Sequence, residues 1–176
     1  MYVLDATPLI YLGKAQQVDL LDGVPRRCVI PEPIYDEVVV AGREAGYPDA
    51  RRVERVVETG TLSTVSVDET PVYERLCEHQ RLSDADAAVL AVAAAADATA
   101  VMDEQYGRDA ASAEGIATRG TAYLVLSVQK CGVTDDREAR ATIDTMLDAG
   151  SHFEPASYAQ VCQQTDALAN RSACGP

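Results

Sequence analysis

Short apolar runs alternate along the chain with segments whose apolar residues recur at helical spacing. Tyr2 to Asp5 reads as a short buried strand that ends on an acid, and Cys28 to Ile30 reads as a second. Thr99 to Asp103 and Ile116 to Thr118 repeat the pattern, whereas Leu62 to Val67 alternates as an edge strand does. Helices are expected in between. Thr7 followed by Pro8 is a helix start, with the hydroxyl as cap and proline at the first helical position. Pro31-Glu32-Pro33 opens a helix carrying Ile34, Tyr35, Glu37, Val38 and Val39, and a charged helix follows from about Asp49 to Glu58. Further helices are expected over Thr70 to His79, from the Ser83-Asp84-Ala85-Asp86 cap to Ala96, and from the Gly120-Thr121 cap to about Lys130. Two more lie near Asp135 to Ala149 and Pro155 to Leu168.

Strands that alternate with helices predict a parallel sheet covered on both faces, an α/β architecture. No linker or repeat divides the chain, and its 176 residues with 47% hydrophobic content suit a single domain. The helices near 135 to 168 are expected to pack on that domain or extend it. The longest apolar run, Ala87 to Ala96, is mostly alanine and lies between Asp86 and Asp97, so no membrane span is expected. The chain opens directly on a strand, leaving no room for a signal sequence, and a cytoplasmic location is the expectation. Cys28, Cys77, Cys131, Cys162 and Cys174 are widely spaced without a Cys-x-x-Cys pair, which predicts reduced core thiols rather than disulfides or zinc.

A net charge of −13 argues against a basic nucleic-acid binder. However, Arg outnumbers Lys thirteen to two, alanine is abundant and the acids are dispersed, which is the style of a halophilic archaeon. There, high charge maintains solubility and concentrated salt screens the self-repulsion.

Topology gathers four of these acids. In a right-handed β-α-β unit each strand ends at the carboxyl edge of the sheet, where the next helix begins. Asp5 and Asp103 end their strands at that edge. Glu37 lies in the early turns of the helix after the second strand, and Asp86 lies in the first turn of the helix leading to the Asp103 strand. Carboxylates so gathered repel one another and shift their pKa values upward unless a cation sits among them. Oxygen ligands without a nearby His or Cys select Mg²⁺ or Mn²⁺, and such ions bind phosphate oxygens, so a phosphodiester is the natural substrate. Each acid also has a plainer role available. Asp86 completes a capping box with Ser83, Glu37 could be a solvated helix residue beside Asp36, and Asp84 and Glu104 are neighbouring alternatives.

The runs MYVLDATPLIYL, VIPEPIYDEV, LSDADAAVLAVA and VMDE, taken in order, resemble a PIN domain. The resemblance is closest to the prokaryotic subgroup with an Asp-x-Ser/Thr-Pro-Leu-Ile motif, and it extends to the segment Ala149 to Tyr158. It implies a three-layer α/β/α PIN-like fold and metal-dependent endoribonuclease activity of the kind found in VapC-type toxins. By motif the family's acids fall on Asp5, Glu37, Asp86 and Asp103, as catalytic residues and as ligands of Mg²⁺ or Mn²⁺. Thr7 matches the family's hydroxyl residue near the metal, and Glu104 its frequent second acid.

Arg108 and Arg119 are candidate contacts for a substrate phosphate, with surface charge as the competing role. Arg51, Arg52 and Arg55 are interleaved with Glu54 and Glu58 and read as an ion-pair surface. His79 and His152 stand alone and read as structural, and no nucleotide-binding glycine motif occurs. RNA, a second copy of the chain and an antitoxin protein are the expected partners. Apolar faces in Thr7 to Leu21 and near 34 to 57 are candidate interfaces, with core burial as the alternative. Two other functions remain open: a non-catalytic PIN-fold module that binds RNA or protein, and a structure-specific DNA nuclease.

Overall fold

Five short strands, β1 (Tyr2–Leu4), β2 (Cys28–Pro31), β3 (Leu62–Val65), β4 (Thr99–Val101) and β5 (Ala117–Arg119), form one sheet. The computed structural model describes residues 1–151 and 155–173. The strand order is β3-β2-β1-β4-β5 and every neighbouring pair is parallel. β1 is central, flanked by β2 and β4, and its three residues are all buried, which is why it reads as continuously apolar. β3 lies at an edge and shows the alternating burial its sequence predicts.

Helices cover the sheet in a three-layer α/β/α arrangement. They are α1 (Ala6–Lys14), α2 (Glu32–Tyr35), α3 (Gly42–Glu44), α4 (Pro48–Glu58), α5 (Pro71–Cys77), α6 (Asp84–Ala95), α7 (Gln105–Ala113), α8 (Thr121–Lys130), α9 (Asp136–Asp148) and α10 (Pro155–Ala173). A π-helical stretch, Asp36–Ala41, joins α2 to α3. α6 packs on β1, β2 and β4, and its many alanines explain how: small side chains allow close approach to three strands at once. α8, α9 and α10 pack on one another. Gly13 in α1 serves a similar closeness, since a Cβ there would lie 3.0 Å from the Asp49 Cβ of α4.

Several expectations are corrected. The first helix starts at Ala6, with Asp5 rather than Thr7 at its cap and Pro8 third in the helix, where its missing N–H is still no loss. β4 ends at Val101, so Asp103 lies two residues beyond the strand. Helix α7 and a 3₁₀ turn over Val18–Gly23 were not among the elements expected from the pattern. Of the cysteines only Cys28 is buried; Cys77 and Cys131 are exposed, and Cys174 lies outside the described residues. His79 is exposed, and His152, with Phe153 and Glu154 of the C-terminal motif, lies outside the described residues.

The apolar residues of the first and fourth helices, Leu9, Leu12, Val53 and Val56, are core. Arg55 pairs with Asp19 at 2.7 Å and Arg43 with Glu54, so this surface carries ion pairs. No helix among the described residues is long and apolar enough to cross a membrane.

Candidate active site

The strand order reverses between β1 and β4, and in open parallel sheets the crevice beyond such a switch point is where ligands bind. Asp5 stands at this point. Its backbone N–H donates to the Val101 carbonyl at 3.0 Å, tying the end of β1 to the end of β4. The residue is only 3% exposed, and its carboxyl is pushed up to about 7 by burial first and then by the Asp86 charge. Glu37 and Asp103 add to the effect, while the Ala6 N–H opposes it. The acids expected to converge do share one electrostatic field.

Asp86 is held by its own helix start. The Ser83 N–H and hydroxyl donate to its Oδ2 at 3.0 and 2.9 Å, and its N–H donates to the Ser83 Oγ at 3.0 Å. This is a complete capping box on α6. The box engages only one carboxylate oxygen, Oδ2.

Glu37 falls in the π-helical stretch, where the wider turn shifts the side-chain register relative to an α-helix. α2 packs against α6, bringing Glu37 toward Asp86. The Glu37 residue is exposed, yet partial burial of its carboxyl and the Asp86 charge raise its pKa above the ordinary value.

Asp103 is bound elsewhere. It accepts the backbone N–H of Thr121 at 2.9 Å and the Thr121 hydroxyl at 2.5 Å, so it caps α8 from across the sheet edge. Arg108 approaches it at 3.7 Å and donates to the Met102 carbonyl at 3.0 Å. Gly120 permits this closeness, because a Cβ there would meet the Arg108 Nη2 at 2.6 Å and the Asp103 Oδ1 at 2.8 Å.

The remaining candidates are dispersed. Thr7 is half-buried one residue into α1. Arg108 is occupied with Asp103 and Met102, and Arg119 lies over the Tyr123 ring at 5.3 Å while donating to the Thr118 carbonyl. Neither guanidinium is directed to Asp5 and Asp86. Three residues missed by the sequence reading belong to the neighbourhood: Thr121, Tyr106 and Arg81. Tyr106 senses the charges of Asp86, Glu104 and Asp5, and Arg81 lies 5.4 Å above its ring. Signals were available: Tyr106 lies three residues after Asp103, Arg81 five before Asp86, and Thr121 begins the helix after β5 and so falls at the same sheet edge.

A family model, DUF3368, described as PIN domain, matches residues 1–167. The chain belongs to the PIN domain family. Nuclease-type function comes with that membership, and the family generally uses divalent metal ions. No curated protein and no solved structure matches the chain. In this PIN domain the donor set, carboxylate oxygens around a buried acid of raised pKa, fits a hard divalent cation, which would bring that pKa back down. The side chains do not already form a cage. Among the described residues no three Asp, Glu, His or Cys side chains stand together as a metal group, because Asp103 turns to Thr121 and Glu37 stays at the exposed rim.

Proposed function

We propose that this PIN domain is a metal-dependent endoribonuclease that hydrolyses RNA phosphodiester bonds, with Asp5, Asp86, Asp103 and Glu37 taking Mg²⁺ or Mn²⁺. The observation that carries the reading is Asp5: a buried carboxyl pushed up to about 7 by burial and three other acids, at the switch point of the sheet. When bound, the ion supplies Lewis-acid activation of water and neutralises charge on the phosphodiester oxygens.

The chain's own groups divide the remaining work. Asp5 is rigid, since its backbone is bonded to Val101 and its side chain is enclosed. Ser83 fixes one oxygen of Asp86 and leaves the other for the ion. Thr121 and Arg108 orient Asp103. Glu37, at the exposed rim beside Asp86, serves either as a further ligand or as the base that orients the attacking water. With the chain at −13, substrate affinity depends on the ion and a few arginines rather than on net charge.

Side-by-side digestion of single-stranded RNA, single-stranded DNA and flap DNA with Mn²⁺ tests the reading. RNA cleavage should be lost in EDTA and in Asp5→Asn; cleavage that survives EDTA refutes it. A non-catalytic binding module is the second reading, favoured by the lack of a preformed metal group among the described residues. Calorimetric titration with Mn²⁺ separates the two, because only the nuclease requires carboxylate-dependent heat. A toxin role, with an antitoxin protein and a homodimeric assembly, belongs to the same proposal. Purification from the native host, with identification of bound protein and sequencing of bound RNA, tests it.

A further inference from the structure

A cavity of about 310 Å³ opens between α7 and the segment running from α5 to Arg81. This size is near the lower end of the ~300–1,000 Å³ typical of small-ligand pockets, which suits a single nucleotide unit. Leu76, Ala110 and Ala113 give it an apolar wall, and an ion pair between Arg75 and Glu114 at 2.6 Å lies toward the distal end of α7. Tyr106 lines the other end, eight residues or about 12 Å along the helix axis, where the charges of Asp86 and Asp5 reach its phenol.

The cations here are unequal. Arg75 is paired with Glu114, and Arg108 is engaged by Asp103 and the Met102 carbonyl. Arg81 is exposed, and among the described residues it has no carboxylate partner; its contact is the Tyr106 ring at 5.4 Å. A cation over an aromatic face is held through its charge rather than its N–H donors, and among the described residues the Arg81 guanidinium donates no hydrogen bond, so its donors are open to a phosphate. A phosphate approaching four carboxylates needs such a cation at the rim.

We propose that Tyr106 and Arg81 form a nucleotide subsite beside the carboxylates, in which Tyr106 stacks one base on the ring face opposite Arg81 and Arg81 holds the adjoining phosphate. The inference rests on the nuclease reading and adds to it the residues that seat the strand. Stacking on tyrosine is tolerant of base identity, so the subsite positions a single strand without selecting its sequence.

Steady-state cleavage of a short single-stranded RNA tests the subsite, using wild type, Tyr106→Leu, Tyr106→Phe and Arg81→Gln. Tyr106→Leu should raise KM roughly ten- to hundredfold with kcat unchanged, and Tyr106→Phe, which keeps the ring, should behave as wild type. Arg81→Gln should raise KM and reduce the slope of log KM against log salt by about one. An RNA series with one base removed beside the cleaved bond, cut by wild type and by Tyr106→Leu, closes a double-mutant cycle. At one position the missing base should cost the wild type as much as Tyr106→Leu does, and cost Tyr106→Leu nothing more. An unchanged KM in Tyr106→Leu, or base and side-chain losses that simply add, overturns the subsite while cleavage itself upholds the nuclease. A wild type that cleaves no nucleic acid overturns both.

Discussion

Thr121 donates twice to Asp103, from its backbone N–H at 2.9 Å and from its hydroxyl at 2.5 Å. One carboxylate thus caps α8 and joins the acidic crevice at the switch point. The two roles are coupled, since any group that turns Asp103 toward a metal does so against these bonds.

Thr121→Val removes the hydroxyl bond at a fully buried site while keeping shape and backbone donor. The expected loss is about 1.5–3 kcal/mol, the range for a hydrogen bond to a charged group. Urea denaturation measures it, and an unchanged midpoint would show that the hydroxyl does not stabilise the fold.

Gly120→Ala should injure the site more than the fold. Its backbone φ of −94° suits alanine, but the added Cβ would lie 2.6 Å from the Arg108 Nη2 and 2.8 Å from the Asp103 Oδ1. Displacing that carboxylate by about 1 Å should lower Mn²⁺-dependent cleavage on the order of 10²-fold. Cleavage assays paired with thermal melts check this; full activity in a folded variant contradicts it.

Asp5 makes the metal-free protein sensitive to pH. Its carboxyl moves from an ordinary 3.8 to about 7 on folding, so between these values the folded state binds more protons than the unfolded one. Stability therefore falls as pH rises from about 4 to about 7, by up to roughly 4 kcal/mol at 1.36 kcal/mol per unit. In EDTA the urea midpoint of the wild type should drop between pH 5 and pH 8, whereas that of Asp5→Asn should drop less. Asp5→Asn should then be the more stable protein at pH 8 and an inactive one. Parallel midpoints for the two proteins would contradict the assigned burial.

Salt should stabilise the fold. With twenty-eight acids against fifteen Lys and Arg, repulsion opposes the compact state and is screened as the Debye length shrinks to about 3 Å at 1 M. Melting temperature should rise between 0.1 M and 2 M KCl and continue to rise after Mn²⁺ is added. A flat salt dependence would count against the halophilic expectation.

Much of the fold was legible because burial writes itself into local pattern. β1 and β4 are fully or mostly buried and read as apolar runs, β3 is an edge strand and alternates, and the Ser83 capping box spans only three residues. Glu37 was assigned to a helix, but the π-helical turn that carries it was not read, since the three consecutive valines of Asp36–Ala41 weaken an α-helix without specifying a wider turn. The partners of Arg108 and Arg119 were also illegible, because a guanidinium at the end of a flexible stem takes whichever acceptor or ring the fold brings near.

By itself the sequence determined the alternation of strands and helices, the parallel sheet and the placement of Asp5 and Asp86 near one edge, all consequences of short-range periodicity and capping. Tertiary structure alone decided the rest. It inserted β1 beside β4, which makes the switch point at Asp5, turned Asp103 to a threonine eighteen residues away, and set Arg81 over the Tyr106 ring. Those relations depend on which strands become neighbours and on side-chain contacts across the sheet edge, and the local order of residues does not encode either.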